Sequence, residues 1–220
     1  LFSDVETNGI VYLTLFFDAQ TVPQDQLPYA FLLSELIGSV DTEAHTYAEL
    51  ANLKNLYTGG ISYDVVTYTQ NAQPDSCQPK FKVKAKVLKE KLPQLFKLLQ
   101  EILLTSCFVD KKRIRELLEQ EQAAMELNLQ RSAHQVVSSR LAGYLSPAGR
   151  YADEGGLPFY RFVKEFQQDF DATLARMQTV FAGLLPKLFN QHNLIVSVTA
   201  PEADYADFVH EFGPFQQSLS

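Results

Sequence analysis

An α+β fold, with a layered antiparallel or mixed sheet covered by helices, is what this sequence predicts, and three observations carry the prediction. Strand-like segments gather in the first ninety residues and recur once near the end. The stretch between them is nearly all amphipathic and helical in period. The two kinds of element never settle into a strict strand–helix–strand alternation, which argues against a parallel α/β fold.

The elements follow in order. Gly9 to Phe17 is short, β-branched and aromatic, and apolar at both parities, which predicts a central strand buried on both sides. Pro23 and Pro28 lead into a helix over Tyr29 to Ile37, where Leu32, Leu33, Leu36 and Ile37 recur at helical spacing before Gly38. A second helix spans Thr46 to Leu56, with Thr46 able to cap it, Glu49 three residues on, and Gly59-Gly60 after its end. Ile61 to Gln70 reads as a strand from its β-branched and aromatic residues. Asn71 to Pro79 reads as a polar loop. Phe81, Val83, Ala85 and Val87 alternate with Lys82, Lys84 and Lys86, the mark of a half-exposed antiparallel strand.

Lys91 to Ser106 is an amphipathic helix. Asp110 to Leu141 has almost no breaker and reads as one long helix or two in tandem. Ser146 to Gly156, rich in Pro and Gly, reads as a loop, followed by helices over Phe159 to Phe166 and Ala172 to Phe189. Leu194 to Thr199 is an apolar strand, and Ala203 to Phe212 a last helix. The expected organisation is one domain over residues 1–220. Its strand–helix–helix–strand–strand part covers 1–90, a mainly helical part 91–192, and a closing strand and helix 193–220. The sequence opens on Leu1 rather than Met, so it is expected to be part of a longer chain.

Composition narrows the function classes. Hydrophobic residues make up 46% and charged residues 20% of the 220 residues, ordinary for a globular chain with a core. The net charge of −7 speaks against nucleic acid, whose phosphates need clustered Lys and Arg. No apolar run reaches the 18 or so residues of a membrane helix, so no membrane partner is expected. Two cysteines, Cys77 and Cys107, make no disulfide framework and fit a reducing compartment, the cytoplasm or an organelle matrix.

Chemistry is scarce. The four histidines, His45, His134, His192 and His210, include no pair at i, i+3 or i+4, so no helical metal pair forms. Nucleophile elbow, P-loop and dinucleotide fingerprint are all lacking. Gly59-Gly60 reads as a helix end turning into a strand. Lys80, Lys82, Lys84, Lys86, Lys89 and Lys91 could form an anion-binding surface, but the simpler reading is the solvated, pairing-averse face of a strand. Glu116, Glu119, Glu121 and Glu126, interspersed with Lys111, Lys112, Arg113 and Arg115, read as the wet side of a long helix.

Four runs say more: Tyr12–Asp18 (YLTLFFD), Leu27–Gly38 (LPYAFLLSELIG), Thr46–Leu50 (TYAEL) and Leu56–Ser62 (LYTGGIS). With the order of elements over essentially the whole chain, they resemble the third domain of presequence-protease-like enzymes of the pitrilysin/insulinase family of zinc metallopeptidases. The resemblance implies a metallohydrolase-like half-domain. In that family's active domain a helix after the first strand carries His-x-x-Glu-His, its histidines binding zinc and its Glu serving as base. The motif falls here on Leu32 to Leu36. Leu32 and Leu36 stand at the histidine positions and only Glu35 survives, so no metal, cofactor or catalytic residue is expected in this chain.

The resemblance implies zinc in the N-terminal half of the full-length enzyme, with this domain as part of the wall of a closed chamber that degrades unfolded peptides. Its partners would be that catalytic half, the following C-terminal domain of the same chain, and the peptides. The alternative is a stand-alone, zinc-less binding or core subunit of a two-chain processing-peptidase-like complex.

Overall fold

A computed structural model describes residues 1–219. Its strands are β1 (Phe2–Asp4), β2 (Ile10–Asp18), β3 (Ile61–Gln70), β4 (Gln73–Leu88) and β5 (Leu194–Ala200). Its helices are α1 (Leu27–Leu36), α2 (Tyr47–Tyr57), α3 (Leu92–Thr105), α4 (Lys111–Arg131), α5 (Ala133–Leu145), α6 (Pro147–Glu154), α7 (Leu157–Gln168), α8 (Phe170–Leu188) and α9 (Glu202–Ser218). Among the described residues the strands form one sheet in the order β1-β5-β2-β4-β3. β1 runs parallel to β5 and every other pairing is antiparallel. The mixed sheet under helices is the α+β architecture expected.

Register sorts the side chains onto two faces. Leu13 pairs with Ala85 and Val198, and Leu15 with Val83 and Val196, so these residues share a face. That face is the core: Val11, Leu13, Leu15, Phe17, Phe81, Val83 and Val87 are all buried. The helices cover it. Phe189, at the end of α8, meets Phe17 and Phe81 edge-on at 5.0 and 5.3 Å. α1 lies within the helical layer, touching β3, α4, α7 and α8.

The opposite face is open, which corrects the expectation for β2. Tyr12 is 46% exposed, and Thr14 and Phe16 are only half-buried. Apolar residues at both parities read as two-sided burial, yet Thr14 and the phenol of Tyr12 tolerate water, and no helix lies over them. The lysine strand is corrected as well. β4 lies between β2 and β3, so its lysines do not guard an edge.

Two stretches read as loops are regular. Asn71-Ala72 makes a two-residue hairpin turn, and β4 begins at Gln73 opposite Gln70. The residues just beyond the turn are polar because this end of the hairpin projects into solvent, not because the ladder stops. Ser146 to Glu154 holds helix α6, with Ser146 accepting a hydrogen bond from the Gly149 amide at 3.0 Å and Pro147 in the first turn. Gly149 is there for proximity: a Cβ would sit 2.3 Å from the Ala142 carbonyl oxygen of α5. The span from Asp110 resolves into tandem helices that break at Ser132, outside the helical region at φ −128° and ψ 36°. α9 runs past Gly213-Pro214 to Ser218 because Phe208, Phe212 and Phe215 all pack on Phe96 of α3 at 5.6–5.8 Å. The short strand β1 carries no sequence signal of its own.

Candidate functional site

Helix α1 is apolar on nearly every side, which suits a helix packed within a layer rather than on a surface. Pro28 opens it, and Gly38 closes it at φ +73°. Gly38 also admits Tyr63 of β3, whose hydroxyl would lie 2.7 Å from a Cβ there. Leu32 is 0% exposed and Leu36 1% exposed, one turn apart and both in the core. Glu35 is the one residue of Leu32–Leu36 that reaches solvent.

Glu35 meets Glu121 of α4 in a shared carboxyl–carboxyl hydrogen bond, with Asp64 of β3 close enough to add repulsion. Partial burial, then the Glu121 charge, pushes the Glu35 carboxyl up to about 7. Burial raises Glu121 as well. Two carboxyls holding one proton tie α1 to α4. Glu121, read as part of a wet face, is therefore corrected. Ile114, Leu118, Glu121 and Met125 recur at helical spacing, and Ile114 and Leu118 are buried, so that spacing already placed Glu121 on the inner stripe. Glu126 accepts from Tyr160 Oη at 2.9 Å and Gln122 Nε2 at 2.8 Å, while Glu119 is exposed.

The donor chemistry at α1 does not fit a zinc ion. Leucine offers no lone pair, and among the described residues no three His, Cys, Asp or Glu side chains converge in a way that could hold a metal. The histidines lie elsewhere. His45 Nδ1 is 2.8 Å from Glu101 Oε1, and Thr42 Oγ1 also donates to that carboxylate, which pins the loop before α2 onto α3. His134, His192 and His210 are exposed and sit on three different elements. Neither cysteine is disulfide-bonded, and burial raises the Cys107 thiol, with Glu43 and Asp41 adding to it, so thiolate is scarce.

The open sheet face offers the other candidate surface. Phe16 and Tyr68 meet edge-on at 5.9 Å, and Tyr12 and Ile195 stand exposed beside them. Lys80 and Lys82 are paired there, with Asp18 at 3.2 Å and Asp64 at 3.1 Å. A recess of about 350 Å³ opens where Tyr12, Thr14, Ser62, Lys84 and Lys86 meet Gly59-Gly60. Among the described residues no helix is long and apolar enough to cross a membrane.

Comparison with known proteins bears on both surfaces. Residues 1–166 match the family model described as peptidase M16, subfamily C, associated. Protein HypA of Clostridium perfringens (strain 13 / Type A) is 28% identical over 94% of this chain, which covers 21% of that protein. Presequence protease 1, chloroplastic/mitochondrial, of Arabidopsis thaliana is 26% identical over 90% of this chain and 18% of its own length. The chain thus spans about a fifth of the length of these curated relatives. Among solved structures, a conserved protein from Enterococcus faecalis V583 superposes with a TM-score of 0.63 at 13% identity, covering 100% of this chain and 49% of that one. A peptidase M16 inactive domain from Pseudomonas fluorescens does so with a TM-score of 0.62 at 15% identity, over 99% and 47%. At such identities these structures support the fold.

Proposed function

The chain belongs to the family of domains associated with M16 peptidases of subfamily C, and on that premise we propose that it is a non-catalytic domain of a longer zinc-dependent oligopeptidase, forming part of the wall of a closed peptide-degrading chamber. The observation that carries the reading is the burial of Leu32 and Leu36, 0% and 1% exposed, where an active domain of the family would hold zinc. Those side chains pack helices together and leave no room for a metal or its water. The open, partly aromatic sheet face supports the wall role, since a chamber needs a surface that no helix covers. Unfolded peptides are the proposed substrates of the whole polypeptide. Its zinc-bearing N-terminal half and following C-terminal domain are the proposed partners, in an organelle matrix or another reducing compartment.

The test has two arms. Zinc-loaded, dialysed 220-residue chain should hold no stoichiometric zinc and cleave no peptide. One zinc per chain, lost on Glu35→Gln, would overturn the non-catalytic assignment. The longer polypeptide without this domain should keep its zinc and lose most peptide cleavage, because moderate, separable interfaces between domains govern closure. Full-rate cleavage by the zinc-bearing half alone would remove the wall role and favour an independent zinc-less subunit.

A further inference from the structure

The charge pattern of the open face is uneven, and the unevenness is written in the cross-strand register. Four lysines of β4 project from it at alternate positions, and each meets the residue opposite it on β2 and on β3. Lys80 lies across from Asp18 and Val66, and Lys82 across from Phe16 and Asp64. Each of those two rows supplies one carboxylate, and each lysine is paired. Beyond Lys82 the carboxylates stop. Lys84 lies between Thr14 and Ser62, and Lys86 beside Tyr12, with its amide bonded to the Gly60 carbonyl. Hydroxyls cannot neutralise an ammonium. Among the described residues no carboxylate lies within ion-pair distance of Lys84 or Lys86, whereas Lys89 nearby is held by Asp204 and Asp207 at 2.6 and 2.9 Å. Two uncompensated cations therefore sit together on a chain whose net charge is −7.

The site also has form. Lys86 is laid down rather than free. Its stem crosses Gly59 so closely that a Cβ there would stand 2.8 Å from two of its methylene carbons. The glycine thus provides a shelf that holds the Lys86 stem against the sheet. Lys84 and Lys86, two residues apart on one strand, stand about 7 Å from each other at the base. That is also the spacing of alternate side chains on an extended peptide. The hydroxyls of Tyr12, Thr14 and Ser62 line the recess between them and can donate to an oxyanion.

We infer that the recess bounded by Lys84, Lys86, Tyr12, Thr14 and Ser62 is a subsite for the acidic side chains of an extended peptide lying on the open face of the sheet. The inference rests on the wall reading for where the peptide comes from. The subsite is a matter of binding, so it can be measured on this chain without any catalytic half.

The experiment is fluorescence anisotropy with a labelled, C-terminally amidated twelve-residue peptide carrying Glu-x-Glu, beside a Gln-x-Gln twin. The Glu peptide should bind the 220-residue chain more tightly than its twin, and added NaCl should narrow the gap. Exposed charge pairs of this kind are weak one by one, so K84Q/K86Q should lower affinity for the Glu peptide by about 3- to 10-fold and leave the Gln peptide unchanged. Both lysines are exposed, so the double variant keeps the fold. Gly59→Ala keeps both charges but lifts Lys86 from its shelf, and should weaken Glu-peptide binding as well. Equal binding of the two peptides, or unchanged affinity in K84Q/K86Q, would overturn the subsite while the deletion test of the wall role stands. A Gln-x-Gln peptide that binds as the Glu peptide does once its C-terminal carboxylate is freed would shift the site from acidic side chains to chain termini, and overturn it as stated.

Discussion

Glu35 is the residue where sequence and environment part most clearly. Its ordinary value is 4.5, and in the fold it is pushed up to about 7. Between those values the folded chain holds more protons than the unfolded one, so this group's contribution is fully present at acid pH and is lost as pH rises through about 7. Glu35→Gln should therefore melt higher relative to the parent at pH 8 than at pH 5; an identical offset at both would show that Glu35 titrates normally. Leu32 and Leu36 make the opposite point, because their roles were legible from helical spacing alone. Each →Ala change should cost about 2–5 kcal/mol in denaturant unfolding, for both side chains fill the core. Near-neutral effects would mean the helix is not packed as described. What spacing could not supply was the partner: that Glu35 faces Glu121 depends on how α1 crosses α4, a packing fact between residues far apart in the chain.

At the scale of elements, local chemistry was readable wherever the chain itself supplies the hydrogen-bond partner. The Thr46–Glu49 capping box forms as the sequence implies, with the Thr46 side chain accepting from the Glu49 amide and the Glu49 carboxylate accepting from Thr46. Those bonds also hold the Glu49 carboxyl below its usual range. Thr46→Ala should cost about 1 kcal/mol, seen as a lower unfolding midpoint at unchanged slope. A null result would mean that the loop clasp of Thr42, His45 and Glu101 carries the turn alone. Elements misread were those whose signals have two meanings. Ser146-Pro147 suits a loop and a helix start equally. Asn71-Ala72 ends a strand and also joins two. Gly213-Pro214 breaks an isolated helix, but three phenylalanines stacked on Phe96 hold α9 straight through it.

At the scale of the molecule, the class of fold was legible and the order of strands was not. Alternation tells which residues face a core, but strand neighbours are chosen by long-range pairing, which no local pattern records. The family match ends at residue 166, within α7, yet the sheet needs β5 to join β1 to β2. The pairing of β5 has a consequence for how such a chain is made. Tyr12 pairs with Thr199 and Phe2 with Val198, so the central strand, among the first segments to leave the ribosome, waits for one of the last to acquire its second neighbour. Contacts so distant in sequence slow folding, and an unpaired strand is the template on which nascent chains aggregate. Synthesis must therefore carry an unfinished sheet, with one side of β2 bare, until residues 194–200 emerge.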